Sequence, residues 1–455
     1  MSKRIRIIGG GLAGPEAALQ AARRGCEVDL YEMRPHRSTE AHQTADFAEL
    51  VCSNSLKSES ENSAPWLLKQ EMRLAGSILL AEADATAVPA GHALAVDREL
   101  FSRRVAERIE AEPNITVHRE EVTRLDDSDP DTVTVLATGP LTSPPLAAEL
   151  QRLTGEHHLA FYDSISPIVD ASTIDMEKVY LAARWDRGTA DYINCPFTKE
   201  EYERFLDALA TAETVPAKEW EQIPAEQREA ESKTTQYFEG CLPIEEIARR
   251  GRDTLRFGPM KPAGLTNPKT GRWPYAVVQL RQENLRADSY NLVGFQNHLK
   301  FGEQARVLRL IPGLENATFL RYGQIHRNTY IHAPSLLNET LQLKAHPSIM
   351  IAGQLSGVEG YTESIASGML AGIYAAMIVQ GKEPVPAPRI SANGSLTHYI
   401  THAEGKRFQP ANITFDLLPP LEDELRKKIR DKKERHRIQC ERALAEWRDW
   451  LTSNL

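Results

Sequence analysis

One short segment constrains the fold of this chain more than any other. Gly9, Gly10, Gly11, Leu12, Ala13 and Gly14 stand between a β-branched run, Ile5–Ile8, and an Ala-rich stretch, Pro15–Arg24, that stops at Gly25. Glu27–Glu32 then alternates as a strand does and ends on an acid. Strand, glycine turn, helix and strand in this minimum length predict a parallel β–α–β unit. Each glycine has a reason. Gly9 permits the tight turn, Gly11 lets a pyrophosphate reach the backbone, and Gly14 lets helix and strand pack closely. The helix N-terminus then faces the phosphates, and Glu32 is spaced to bind a ribose diol.

Two further segments distinguish the dinucleotide. Val133–Gly139 ends in Ala-Thr-Gly, which resembles a second flavin contact. Ser348–Gly353 is a buried-strand run followed by the Gly357/Gly360 turn and an uncharged helical stretch, Ser364–Gly381. Cofactor contacts at both ends of a chain, around an insertion, resemble the glutathione-reductase-type FAD fold. Gly353 joins the cofactor-binding candidates, and the helix opening near Ser364 is expected to aim its N-terminus at the flavin ring. The fold class expected is α/β, a Rossmann-like FAD-binding domain interrupted by an α+β insertion. The expected boundaries are 1–170 and 315–395 for the FAD-binding domain, 171–314 for the insertion, and 396–455 for a C-terminal helical segment.

Between these landmarks, residues 33–66 read as a loop region. Trp66–Glu82 and Ala95–Glu112 read as helices, the second opening near Asp97. Thr198-Lys-Glu-Glu201 reads as a capping box leading into an apolar face at Tyr202, Phe205, Leu206 and Leu209. Tyr275–Arg281 and Tyr290–Gln296 read as strands, residues 213–233 as an exposed polar excursion, and Leu421–Leu451 as one charged helix. The apolar heart of the Ser364–Gly381 stretch, Met369–Val379, is too short to span a bilayer and reads as a buried helix.

Composition narrows the class. The chain has 455 residues, 41% apolar and 26% charged, which excludes global disorder. Its five cysteines, at 26, 52, 195, 241 and 440, are odd in number and scattered. That pattern argues against a disulfide framework or a paired-cysteine metal site, and a reducing cytoplasm is the expected compartment. The net charge of −9 argues against a wholly basic nucleic-acid wrapper. It is nevertheless a sum of unlike parts. Arg426–Arg437 holds eight Lys/Arg against Asp431 and Glu434, a local net of +6 that leaves −15 for the remainder. Arg426, Lys427, Lys428 and Arg430 are therefore RNA-binding candidates, against the plainer alternative of a solvated amphipathic helix.

Several blocks occur together and in order: the Gly9–Gly14 turn, Val51-Cys-Ser-Asn-Ser55, Ala95-Val-Asp-Arg98, Ala137-Thr-Gly-Pro-Leu141, Phe257-Gly-Pro-Met-Lys-Pro262, His326-Arg-Asn-Thr-Tyr330 and Gly357-Val-Glu-Gly-Tyr361. The chain thereby resembles the folate- and FAD-dependent tRNA (uracil-5-)-methyltransferase family over nearly its whole length. The stretch 213–233 is longer than the resemblance leads one to expect. The resemblance implies that the methylene of methylenetetrahydrofolate passes by way of the flavin to carbon 5 of uridine 54 in the tRNA T-loop, with NAD(P)H supplying electrons.

It also implies that Cys241 is the thiolate that adds to uracil carbon 6 and that Cys52 is the second catalytic cysteine, acting as base or holding an adduct, with the two roles open to exchange. Tyr361 is a candidate for stacking on the folate pterin, with ordinary packing as the alternative. Other readings are a sister FAD- and folate-dependent enzyme acting on ribosomal RNA or the tRNA wobble uridine, a flavin disulfide oxidoreductase, and a non-catalytic FAD-bound RNA-binding protein. The oxidoreductase needs two closely spaced cysteines, which the chain lacks.

Overall fold

A computed structural model describes residues 4–39, 41–125, 132–155, 159–215, 242–323, 325–404 and 408–455. The glycine turn sits where the sequence places it. Strand β1 (Arg4–Ile8) leads through Gly9–Leu12 into helix α1 (Ala13–Ala22), and the chain returns as β2 (Val28–Tyr31). Three more strands, β3 (Ile115–His118), β4 (Thr132–Leu136) and β5 (Ile349–Ile351), complete a five-stranded sheet in the order β5-β4-β1-β2-β3. Every pairing in it is parallel. Such a sheet must be covered on both faces, so its strands read as near-continuous apolar runs.

The uncharged stretch near the C-terminus forms helix α2 (Tyr361–Val379). By length and apolarity α2 resembles a membrane-crossing helix, yet it is almost wholly buried inside the protein. It lies against α1 with no side chains between the two backbones at two places. A Cβ on Gly368 would fall 2.3 Å from the Ala13 carbonyl oxygen, and one on Gly372 would fall 2.4 Å from that of Ala17. The N-termini of both helices are thereby brought to one end of the sheet, where β1 and β5 also finish.

A second sheet follows different rules. Its six strands are antiparallel and run Tyr180–Leu181, Ile193–Phe197, Ala276–Gln282, Ser289–Leu292, Ile168–Asp170 and Phe319–Arg321 in spatial order. One face packs on helices Lys199–Ala210, Ile244–Arg249 and Phe301–Leu308 to make a separate apolar core. The first of these helices carries the expected capping box. The Glu201 amide donates to the Thr198 hydroxyl, while the Thr198 amide donates to the Glu201 carboxylate. The sheet takes in Ile168–Asp170 and Phe319–Arg321, which lie on either side of 171–314. A two-stranded ladder, Leu159–Ser164 with Ile325–Tyr330, carries the chain out and back.

Three expectations need correction. The 33–66 region is not all loop, because Ser55–Ser58 pairs with Ala93–Val96. The helix expected over Trp66–Glu82 is two helices, Ala64–Leu74 and Ile78–Ala85, broken where Gly76 adopts φ +70° and Ser77 caps the second. The C-terminal charged helix is also two, Asp423–Lys428 and Lys432–Asn454, with Asp431 capping the longer one. The excursion 213–233 lies largely outside the described residues.

Candidate active site

The ends of β1, β4 and β5 and the starts of α1 and α2 enclose a cavity of about 370 Å³. Gly9–Ala13, Glu32, Cys52, Ala137–Gly139, Gly353, Gly360 and Tyr361 all line it. The sequence-derived candidates from three distant segments therefore meet at one place. Gly14 lies just behind the wall.

The glycine turn has the geometry its motif requires. Gly9 has φ +116°, and a Cβ there would lie 2.4 Å from the Ala137 carbonyl oxygen, so the turn nests against the end of β4. A Cβ on Gly14 would fall 1.8 Å from the Gly9 oxygen, so only hydrogen fits. Gly11 is different. A Cβ there meets nothing within 4 Å, and the position borders the cavity, so what a side chain would fill is ligand space.

Glu32 is held from two sides. Its Oε2 accepts from the Gly10 amide at 2.7 Å, and its Oε1 accepts from the Arg34 amide at 2.9 Å and from Arg34 Nε at 3.0 Å. Burial pushes its pKa up, but these bonds and the Arg34 charge outweigh burial and hold it below the ordinary carboxylate range. Oε1 has both its lone pairs engaged, whereas Oε2 keeps a further one for a ribose hydroxyl. On the opposite side, the Gly353 amide donates to Ser367 Oγ at 2.9 Å, which fixes the β5–α2 turn. Asn328 also lines the cavity. It is 1% exposed, and its Oδ1 has no partner among the described residues. A buried acceptor left open toward a cavity is what a ligand donor would satisfy. These features fit an FAD: an open glycine backbone, a fixed carboxylate and an unsatisfied polar atom.

Cys52 projects from the loop after β2. Tyr361, the first residue of α2, reaches across to that loop. Its hydroxyl accepts from the Cys52 amide at 2.7 Å and from the Ser53 amide at 3.3 Å. The structure thus gives Tyr361 a positioning contact to the Cys52 loop. Burial pushes its own ionisation well up, so the hydroxyl stays protonated.

Asn54 pins the other side of the same loop, fully buried. Its amide donates to the carbonyls of Val96 and Gln282 and accepts from Arg281 Nε at 2.9 Å. Arg98 joins the network through the Leu50 carbonyl at 2.9 Å and through an ion pair with Glu283 at 2.5 Å. Burial works against its charge, yet the Glu283 carboxylate holds Arg98 above the ordinary arginine range. The Cys52 loop is therefore clamped between the parallel-sheet domain and the second sheet.

Cys241 lies outside the described residues. Of the other cysteines, Cys26, Cys195 and Cys440 are buried, and burial pushes each thiol's pKa up, Cys440 to about 12. Arg426, Lys427, Lys428 and Arg430 are exposed. Near them, His436 stacks on Phe415 at 3.7 Å, three residues beyond Asn412, which borders the cavity.

Lys57, Asn412, Asn328, Arg98 and Asn54 were not chosen from the sequence. Lys57 bonds Glu363 at 2.6 Å and Asn412 at 2.7 Å. Asn54, Arg98 and Asn328 stood inside blocks quoted for the resemblance, which was the one available signal. Nothing local marked Lys57 or Asn412.

Comparison with known proteins shows the family to which the chain belongs. A family model for glucose inhibited division protein A matches residues 4–383. The methylenetetrahydrofolate--tRNA-(uracil-5-)-methyltransferase of Koribacter versatilis is 68% identical over 454 residues, 100% of this chain and 99% of the relative. The enzymes of that name from Solibacter usitatus and Enterococcus faecalis are 61% and 53% identical, each covering 98% of both chains. The chain belongs to the folate-dependent tRNA (uracil-5-)-methyltransferase family. Two crystal forms of Aquifex aeolicus GidA share the fold of this methyltransferase at TM-score 0.70, with 17% and 18% identity. They cover 99% and 100% of this chain, which spans 73% and 76% of theirs. As a member of the methyltransferase family the chain is an FAD-dependent enzyme, and the cavity at the starts of α1 and α2 is where its residues fit that cofactor.

Proposed function

We propose that this enzyme forms 5-methyluridine at position 54 of the tRNA T-loop, taking the carbon from methylenetetrahydrofolate and electrons from NAD(P)H. The observation that carries the reading is Cys52 on the wall of the cavity that the glycine turn, Glu32 and Gly353 share. When bound, FAD supplies the redox chemistry and carries the one-carbon unit.

The chain's own residues do the rest. Carbon 5 of uracil is a poor nucleophile, and a thiolate adding to carbon 6 raises its electron density. We assign that addition to Cys241. Carbon 5 then bonds to the one-carbon unit, Cys52 removes the proton that carbon 5 carried, and the carbon 6–sulfur bond breaks as the Cys241 thiolate leaves; electrons from NAD(P)H bring the transferred carbon to the methyl level. Tyr361 and Asn54 hold the Cys52 backbone from opposite sides, which fixes the position of the sulfur. The Tyr361 ring borders the cavity and offers a flat face to the folate pterin. Gly9–Gly14, Glu32 and Gly353 bind the dinucleotide. A stacked T-loop base must be turned out to be reached. Arg426, Lys427, Lys428 and Arg430 offer exposed charge for the phosphates.

The test is direct. Purified enzyme is incubated with unmodified tRNA transcript, labelled methylenetetrahydrofolate and NADPH, and 5-methyluridine is sought in the T-loop. Absence of label transfer sinks the reading. Cys52→Ala and Cys241→Ala are each expected to lose methylation while keeping flavin absorbance. Loss of flavin instead would make that cysteine structural.

A further inference from the structure

Two tryptophans on the second domain stand out on the protein surface. Trp185 and Trp273 are 53% and 50% exposed, and their rings meet edge to face at 5.3 Å. Large aromatic side chains normally bury themselves, and these two are held outward. Trp185 has φ +60°, a left-handed conformation that a bulky residue avoids. It is kept there by Gly264. The Trp185 amide donates to the Gly264 carbonyl at 2.7 Å, and a Cβ on Gly264 would fall 2.6 Å from the indole ring. The neighbouring Arg184 is bonded to the Ala263 and Lys261 carbonyls and to Gln279 Oε1. The ring is thus presented on a fixed support. Strain of this kind is found where a side chain has work outside the fold.

The surroundings say what that work is. Arg187, Lys261 and Arg272 are all exposed, two residues from Trp185, on the segment that Arg184 grips, and beside Trp273. Cations interleaved with aromatic faces, on a chain whose net charge is −9, match a nucleic acid backbone with unstacked bases. The position also fits. In strand Ala276–Gln282, Ala276, Val278 and Leu280 point into the second core. Gln279 and Arg281 point to the other face, two residues and roughly 7 Å apart. Gln279 holds the Trp185 loop through Arg184, and Arg281 holds Asn54 in the Cys52 loop. The loops that carry Trp185 and Cys52 are therefore held from the same face of the second sheet.

We propose that Trp185 and Trp273 form a stacking platform for an unpaired base of the RNA substrate, with Arg187, Lys261 and Arg272 on the adjoining phosphates. This deepens the tRNA-methylating reading and rests on it. The platform grips the RNA beside the catalytic cleft while the target uridine turns into it.

The test uses the full-length flavoprotein and a fluorescently labelled, unmodified tRNA transcript, with binding read by anisotropy over a range of salt. The W185A/W273A double variant is expected to bind about tenfold more weakly with the salt slope kept, because stacking is lost and charge is not. W185F is expected to recover most of the affinity lost in W185A. R187A/K261A/R272A is expected to flatten the salt slope by about two to three. Flavin absorbance and the melting temperature check that each variant is folded. Wild-type affinity in W185A/W273A overturns the platform. Failure of the wild-type enzyme to methylate the transcript overturns instead the reading on which it rests.

Discussion

The two walls of the cleft are joined in opposite ways. Where α1 meets α2, backbone lies on backbone, and the contact consists of Gly368 against Ala13 and Gly372 against Ala17. Where the Cys52 loop meets the second sheet, the contact consists of buried polar and charged side chains: Asn54, Arg98, Arg281 and Glu283. A glycine seam has no rotamers and no charge to rearrange. It suits a wall that must hold a large flat cofactor in one place. A hydrogen-bonded ionic network is directional and contributes little net stability, but it tolerates no missing partner. It suits a wall that must fix the position of a single thiol.

The contrast can be broken at either wall. The largest effect is expected from Arg98→Met, which leaves Glu283 buried without its cation and should cost about 3–5 kcal/mol. Chemical denaturation measures it, and adding Glu283→Gln should recover much of the loss. A loss below about 1 kcal/mol would mean that this wall does not depend on its charges. Next is Gly368→Val. Two helices cannot part by the width of a side chain without disturbing Gly353 and Ala13 together, so about 2–3 kcal/mol and most of the bound flavin should go. Thermal melting and flavin absorbance report both, and retained flavin would show that the seam is not what sets the site.

The smallest effect concerns pH. Folded Glu32 ionises below the ordinary carboxylate range, whereas in the unfolded chain it ionises near pH 4.3. Its contribution is therefore complete above that value and is lost as pH falls through the folded one. Flavin release during acidification should show a limb that Glu32→Gln lacks. An identical acid limb in both proteins would remove Glu32 from the account.

How much of this was legible follows from how local each feature is. Gly9 and Gly14 could be read because a turn that close leaves no room for Cβ, and Gly11 because a side chain there would fill ligand space; their spacing records those needs directly. Glu32 could be read because it ends an alternating strand at a set distance from the turn. The break at Gly76 was missed because the apolar pattern continues across it, and only the backbone angle reveals the stop. The Ser55–Ser58 strand was missed for a similar reason. Four mostly polar residues carry no period until Ala93–Val96 lies beside them. Lys57 and Asn412 are 355 residues apart, and no pattern in either neighbourhood points to the other. Cys52 was legible through the family's block rather than through its chemistry.

The cofactor-binding sheet is closed by β5, whose residues follow those of β1 by more than 340 positions. At translation rates of about 5–20 residues per second, the floor of the site waits on the order of 20–70 seconds for its roof. Meanwhile the second domain, with its own core, is already complete and able to fold. The order of synthesis thus closes the flavin pocket after the second domain, with the C-terminal helices following. Shortage of the cofactor would then be felt late in maturation, on a chain whose second core is already formed.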